Sequence, residues 1–334
     1  MESLLSQLLR RHQNLIAVTI LGLALWPGML YQQVAAKSAA TESGRIFIAT
    51  DRATLKFLPD REVVEDKNAE KKVQIDLPTS SGRLRSSFFS DNGQDELTWL
   101  SSEDDRSFQR TDLDTFARES EGKKVVLFVH GCCVSFKEME QQARDLERGL
   151  RDALGDRVIL ISYDWSTPAL YYSGSLKNMD TTQVRFNKFL TELRGRIPAG
   201  RLSVVMHSLG GNLMVRYLTG PGSEFAPRDK NTPKLFHLLI FSRPDMSLDS
   251  FVTHAADVSL TADHNLILAA ENDININLSG FIRSLRGYTF GSFRLGQMHN
   301  ARELSPQLNV LDVGSLRLGH KIPYKLIGNL VNIM

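Results

Sequence analysis

The stretch Ser203-Val204-Val205-Met206-His207-Ser208-Leu209-Gly210-Gly211 runs an apolar, β-branched segment straight into a serine and a pair of glycines. A buried strand that breaks at a serine and restarts as a helix is the setting in which a strained turn lifts a nucleophilic hydroxyl out of a sheet. Such a turn asks for small residues two before and two after the serine, because strand and helix pass close to each other there. Gly210 meets the second requirement, whereas Met206 stands where the first asks for a small residue. The plainer reading makes Ser208 a polar cap on the helix that follows.

Working outward, apolar strand-like runs alternate with helical patterns from Lys124 onward. VVLFVHG is followed by a helical stretch from Phe136 to Leu154, RVILISYDW by one from Thr181 to Leu193, and LSVVMHS by one from Leu209 to Leu218. LFHLLIFS (Leu235 to Ser242), NLILAA (Asn265 to Ala270) and LNVLDV (Leu308 to Val313) continue the series. Near-continuous apolar strands with intervening helices predict a mainly parallel sheet with helices on both faces, in six parallel strands. Upstream, Arg45 to Thr50 and Val73 to Leu77 read as opening strands, and the charged stretch Ser101 to Glu121 as a surface helix starting at Thr111-Asp112-Leu113-Asp114. Gly220 to Pro233, with three prolines, reads as a loop.

Length and composition narrow the function. At 334 residues, 42% hydrophobic and 23% charged, the chain can bury a large core. Its net charge of +2, with both signs interspersed, is far from the concentrated positive field that nucleic acid selects. The only two cysteines, Cys132 and Cys133, are adjacent, which excludes a disulfide framework and a paired zinc motif. The N-terminus departs from this ordinary picture. Arg10-Arg11-His12 precedes the uncharged run Leu15 to Trp26, broken by Pro27-Gly28, with Val34-Ala35-Ala36 behind it. Two readings stay open: a cleaved signal peptide, or a retained membrane anchor extending to Tyr31. Either keeps the arginines cytoplasmic and predicts export across the inner membrane of a bacterial cell. The expected division is therefore residues 1–43 as signal or anchor plus linker, and residues 44–334 as one folded domain.

A serine nucleophile on such a sheet needs an acid and then a histidine later in the chain, each at the carboxyl end of a strand. Asp273 follows NLILAA and His320 follows LNVLDV. His320 would take the serine proton and return it to the leaving group, while Asp273 fixes the imidazole tautomer. Asp245, after the preceding strand, is the rival acid. His237 and His299 read as structural, and His207 as pointing away from the base position. Oxyanion donors are expected from the amides of Leu209 and Cys132, the latter in the loop after VVLFVHG, with His130 bracing that loop.

Together FIATDRA, FVHGCCVSF, ISYDWST, VVMHSLGGNL, Arg243-Pro244-Asp245, Glu271-Asn272-Asp273 and the terminal Gly319-His320 resemble a bacterial α/β-hydrolase family of unknown function. The resemblance runs from Gly44 to the end. It implies the α/β-hydrolase fold and carries over Ser208, Asp273 and His320 as a triad. Cys132-Cys133-Val134 replaces the family's Y-N-N and Met206 a small residue, while Arg243-Pro244-Asp245 matches its A-P-D. These observations predict a serine hydrolase acting on a small-molecule or lipid acyl substrate, with no metal or organic cofactor implied. The alternative is a non-catalytic envelope protein that uses the scaffold to bind a partner. A lid would come from Ser166 to Asn178 and Gly280 to Asn300.

Overall fold

The computed structural model describes residues 44–52, 55–58, 81–86, 97–103, 107–167, 172–220, 229–270, 273, 295–297 and 308–334. The expected signal or anchor, the strand at Val73 to Leu77, His299 and most of the second lid segment lie outside the described residues. No helix among those described is long and apolar enough to cross a membrane.

The sheet's parallel part holds β1 (Ile46–Thr50), β6 (Lys124–Val129), β7 (Val158–Asp164), β8 (Leu202–His207), β9 (Phe236–Ser242), β10 (Ala262–Ala269) and β11 (Leu308–Asp312). All six runs read as parallel strands take that form, and β1 joins them beside β7. Strand order is β11-β10-β9-β8-β6-β7-β1, continued by β4 (Thr98–Ser102), β5 (Phe108–Arg110), β3 (Ser81–Ser86) and β2 (Leu55–Leu58), which pair antiparallel. The charged stretch Ser101 to Glu121 opens with the end of β4 and all of β5, and the helix begins where expected: α1 (Leu113–Glu119), whose start is capped by the Asp112 carboxylate accepting from Thr115 N–H at 2.7 Å.

The apolar alternation within each strand sends side chains into two cores. Val125, Leu127, Val204, Met206 and Phe241 face α3 (Tyr172–Arg196) and α4 (Gly210–Thr219) through Phe186, Phe189, Leu213 and Met214. Val126, Phe128, Val205, Ile240 and Leu268 face α2 (Phe136–Leu154) and α7 (Tyr324–Ile333) through Met139, Leu146, Ile327 and Val331. Two short helices, α5 (Leu248–Val252) and α6 (Ala255–Ser259), bridge β9 to β10. Ser135 and Glu138 form a reciprocal capping box that starts α2 at once after the β6 loop. The chain passes from β6 to β7 on one side and then crosses back to β8 on the other, so β6 and β8 diverge at a topological switch point, where open α/β sheets form their crevice.

Beside that crevice lies a buried polar network drawn from three strand ends. Arg52 Nε donates to both Asp164 oxygens at 2.9 Å, and Thr50 Oγ1 donates to Asp164 Oδ2 at 2.7 Å. Burial works to raise Asp164, but Arg52 and the His130 hydrogen bond outweigh it and hold the carboxyl below its usual range. Next to it, Asp51 accepts from Ser166 N–H, Tyr163 Oη and Thr182 Oγ1. Burial, and then the Asp164 charge, push Asp51 from 3.8 up to about 6. Folded Asp51 thus holds its proton more tightly than unfolded Asp51 does. Its contribution to stability is present below pH 3.8, is lost as the pH rises toward about 6, and stays lost above that. Asp51→Asn keeps the polar contacts without the charge. It should raise the melting temperature at pH 8 by roughly 5 °C, and the gain should vanish near pH 4; thermal melts across that range check both signs.

Candidate active site

Ser208 sits at the end of β8 with φ 52, a left-handed conformation that costs a serine energy and persists only where the surroundings enforce it. Its N–H donates to Ser242 O at 3.1 Å, which ties the turn to the end of β9. Helix α4 starts with no side-chain cap hydrogen bond, so the helix-cap reading of Ser208 has no contact behind it. Two glycines let the turn close. A Cβ on Gly210 would stand 2.6 Å from Val129 O and 2.7 Å from His130 O. A Cβ on Gly131 would stand 2.7 Å from Ser208 Cβ and 3.3 Å from its Oγ. Met206, where a small residue was expected, lies fully buried in the core that also holds Phe241 and Leu213. The tight approach falls at Gly131 and Gly210, and the methionine packs on the helix side of the sheet.

Asp273 follows β10, its N–H donating to Ala270 O, and its carboxylate is completely buried. His320 follows β11 after a turn in which Gly319 takes φ 58. His320 Nδ1 lies 2.7 Å from Asp273 Oδ2, an arrangement that protonates Nδ1 and leaves the Nε2 lone pair free of the acid. Arg243 Nη1 donates to the same oxygen at 3.3 Å from a residue only 1% exposed, with φ 48. Burial pulls the Arg243 guanidinium below its usual range, while the Asp273 charge resists that fall. Asp245 is placed otherwise: its carboxylate accepts from Tyr172 Oη at 2.6 Å and its carbonyl from Asn212 Nδ2 at 3.0 Å.

Sequence reasoning missed the closeness of His207 to this pair. Its ring lies on that of His320, with centroids 4.7 Å apart and planes at 44°, and its Nδ1–H donates to Ser242 O at 3.1 Å. Burial, and then the nearness of His320, hold His207 well below the ordinary histidine range, so it remains neutral. His237 pairs with Asp263 on the sheet's far end.

The loop after β6 is braced on all sides. His130 Nδ1–H donates to Gly131 O at 2.8 Å, its Nε2 stands 3.2 Å from Asp164 Oδ1 and 3.1 Å from Trp165 N, and Trp165 Nε1 donates to His130 O at 2.8 Å. Val134 O accepts from Arg52 Nη2 and from Thr167 Oγ1, both at 2.8 Å. Only Cys132 and Cys133 stand between these anchors, next to Ser208. A separate charged cleft near the start of β1 and β7, lined by Arg45, Glu119, Glu147 and Arg151, lies at the opposite strand ends and takes no part in this site.

A mostly parallel sheet covered on both faces, with a serine turn at its switch point and an acid–histidine pair on the following strand ends, defines an α/β hydrolase fold. The chain belongs to the family described as Alpha/beta hydrolase of unknown function (DUF900), whose profile matches residues 102–321, well over half of its length. No curated protein matches the chain. Among solved structures it is similar to a puromycin-hydrolysing peptidase of Mycobacterium tuberculosis, at 12% identity and TM-score 0.29 over 64% of this chain and 32% of that one. It is similar to a 2,6-dihydroxy-pseudo-oxynicotine hydrolase at 14% and 0.31, over 63% and 60%. To an esterase of the fungus Rhizomucor miehei it is similar at 15% and 0.32, over 72% and 78%. The chain thus spans about a third of the peptidase and less than two thirds of the oxynicotine hydrolase. Likenesses this distant say nothing of what the chain acts on.

The glycine contacts set the first test of the site. Gly210→Ala presses a methyl group against two backbone carbonyls and should cost roughly 1–3 kcal/mol, whereas Gly200→Ala, with nothing near its Cβ, should stay within about 0.5 kcal/mol. Urea unfolding of the two variants compares them directly, and equal costs would contradict a tightly closed turn.

Proposed function

We propose that this protein is a serine hydrolase that cleaves an ester or related acyl bond through an acyl-enzyme on Ser208. The observation that carries the reading is the strained serine at the switch point, with the Asp273–His320 pair held on the strand ends beyond it. In this reading His320 Nε2 removes the Ser208 proton as Oγ attacks the acyl carbon, and returns it to the departing alkoxide or amine. Asp273 holds Nδ1 protonated and stabilises the imidazolium. Arg243 keeps that fully buried carboxylate ionised. The amides of Cys132 and Leu209 receive the oxyanion as the tetrahedral intermediate forms. Water then repeats the sequence on the acyl-enzyme with the same base.

None of these steps calls on a metal or organic cofactor, and the acyl donor is a small molecule or a lipid. The hydrolase would act outside the cytoplasm, carried there by the apolar segment Leu15 to Trp26 as signal or anchor. A non-catalytic alternative draws on Met206 and the loop after β6; Met206 packs within the core, which leaves that alternative the loop alone.

Chromogenic aryl esters of increasing acyl length, offered to the full chain, test the proposal. Ser208→Ala and His320→Ala should each lower kcat/KM by about three orders of magnitude or more, and the double change should cost little beyond either. Ser208→Ala should leave the melting temperature nearly unchanged, since no cap contact is lost. Asp273→Asn should cost several orders, while Asp245→Asn should cost much less. Turnover that survives Ser208→Ala would remove the nucleophile from the account, and reversed aspartate effects would transfer the acid role to Asp245.

A further inference from the structure

We infer that Cys132 and Cys133 form a reversible modification site, a vicinal dithiol that closes to a disulfide by exchange with a disulfide oxidant and so withdraws the oxyanion donor from Ser208. The gating half of this inference rests on the function proposed above; the ring closure does not.

Three observations carry it. Cys133 Sγ lies 2.8 Å from Cys132 Sγ, so the two sulfurs already face each other at less than an ordinary contact distance between thiols. Both residues are free and half-buried. Cys133 takes φ 63, a strained conformation for a residue other than glycine, and the loop is pinned just before the pair by Gly131 against Ser208 and just after it by Val134 against Arg52 and Thr167. A change in the pair's geometry therefore cannot spread along the chain. It is absorbed at Cys132 and Cys133 themselves, where the Cys132 amide lies.

Burial helps decide the order of events. The Cys132 thiol is pushed well up, first by its hydrogen bond with Cys133 and then by burial, so Cys132 is the poorer initial nucleophile. The Cys133 thiolate attacks one sulfur of the oxidant, whose S–S bond breaks and releases one thiol. Cys132 sulfur then attacks Cys133 sulfur in the mixed disulfide, giving its proton to solvent as the second thiol departs. Two protein thiols are oxidised and one external disulfide is reduced to two thiols. Neighbouring Cα atoms are about 3.8 Å apart across a trans peptide, short of the roughly 4.4–6.8 Å usual for disulfides. The closed ring is thus strained, readily reduced, and suited to a switch rather than a staple. A domain exported to an oxidising compartment would meet oxidants of this class.

The test treats reduced full-length protein with excess oxidised glutathione and reads three quantities: intact mass, free thiols, and the rate of fluorophosphonate labelling. Ring closure predicts loss of both thiols, a mass lower by two hydrogens with no glutathione retained, and labelling slowed roughly tenfold or more, all reversed by a dithiol reductant. Cys133→Ser should keep its labelling rate under the same oxidant. A retained glutathione adduct, or two thiols surviving excess oxidant, would overturn the dithiol site. An oxidised protein that labels at the reduced rate would overturn the gating. A reduced protein that never labels would overturn the gating together with the proposed function, while the mass still decides ring closure.

Discussion

Strand β6 leaves the sheet so close to the turn after β8 that no side chain fits between them. Gly131 and Gly210 are the two points of contact, and the rest of the site is arranged around that approach. Because β6 and β8 are neighbours whose connections run to opposite sides, their exits diverge and leave a crevice at the place where Ser208 is forced into a left-handed turn. The carbonyl of Ser242 then receives both the Ser208 amide and the His207 ring, so the next strand holds the strained turn in place. Strain at Ser208 is maintained by packing on three strands at once, which explains how it survives without a local stabilising cap.

Buried charge is the second expense of this architecture. Asp273 with Arg243, and Asp164 with Arg52, are almost fully enclosed pairs, and burying ions is favourable only when each is closely answered. Both pairs stand next to the candidate site: Arg243 meets the carboxylate that also bonds His320, and Arg52 braces the loop after β6. Asp51, buried beside the Asp164 charge, holds its proton to about pH 6. The pattern is one in which stability is given up beside the site while the apolar cores on either side of the sheet supply the excess.

Much of the fold was legible because both faces of the sheet are buried. The runs VVLFVHG, RVILISYDW, LSVVMHS, LFHLLIFS and NLILAA read as central strands, LNVLDV supplies the edge strand β11, and the stretch from Phe136 to Leu154 carries a clear helical stripe. The order of serine, aspartate and histidine at three strand ends could be read from position alone. Partnerships across long separations could not be. Arg52 meets Asp164 over 112 residues, and nothing local to FIATDRA announces that β1 lies parallel to β7. Helix α3 begins at Tyr172 rather than Thr181, because its first turns lack apolar periodicity and read as part of a lid. Within Ser101 to Glu121 the helix start at Asp112 was legible, whereas the short strand before it, anchored by the buried Phe108, was concealed by the charges around it. The contact of the His207 ring with that of His320 depends on how the end of β8 meets the turn after β11, which the spacing of residues does not encode.

The central claim is that the strained serine is the nucleophile, and the most direct measurement locates the covalent bond it forms. Full-length wild-type protein treated with a fluorophosphonate, then digested and sequenced by mass spectrometry, should carry one phosphonyl group per chain on Ser208 and nowhere else. Modification of another residue, or a folded protein that stays unmodified after prolonged exposure, would contradict the account.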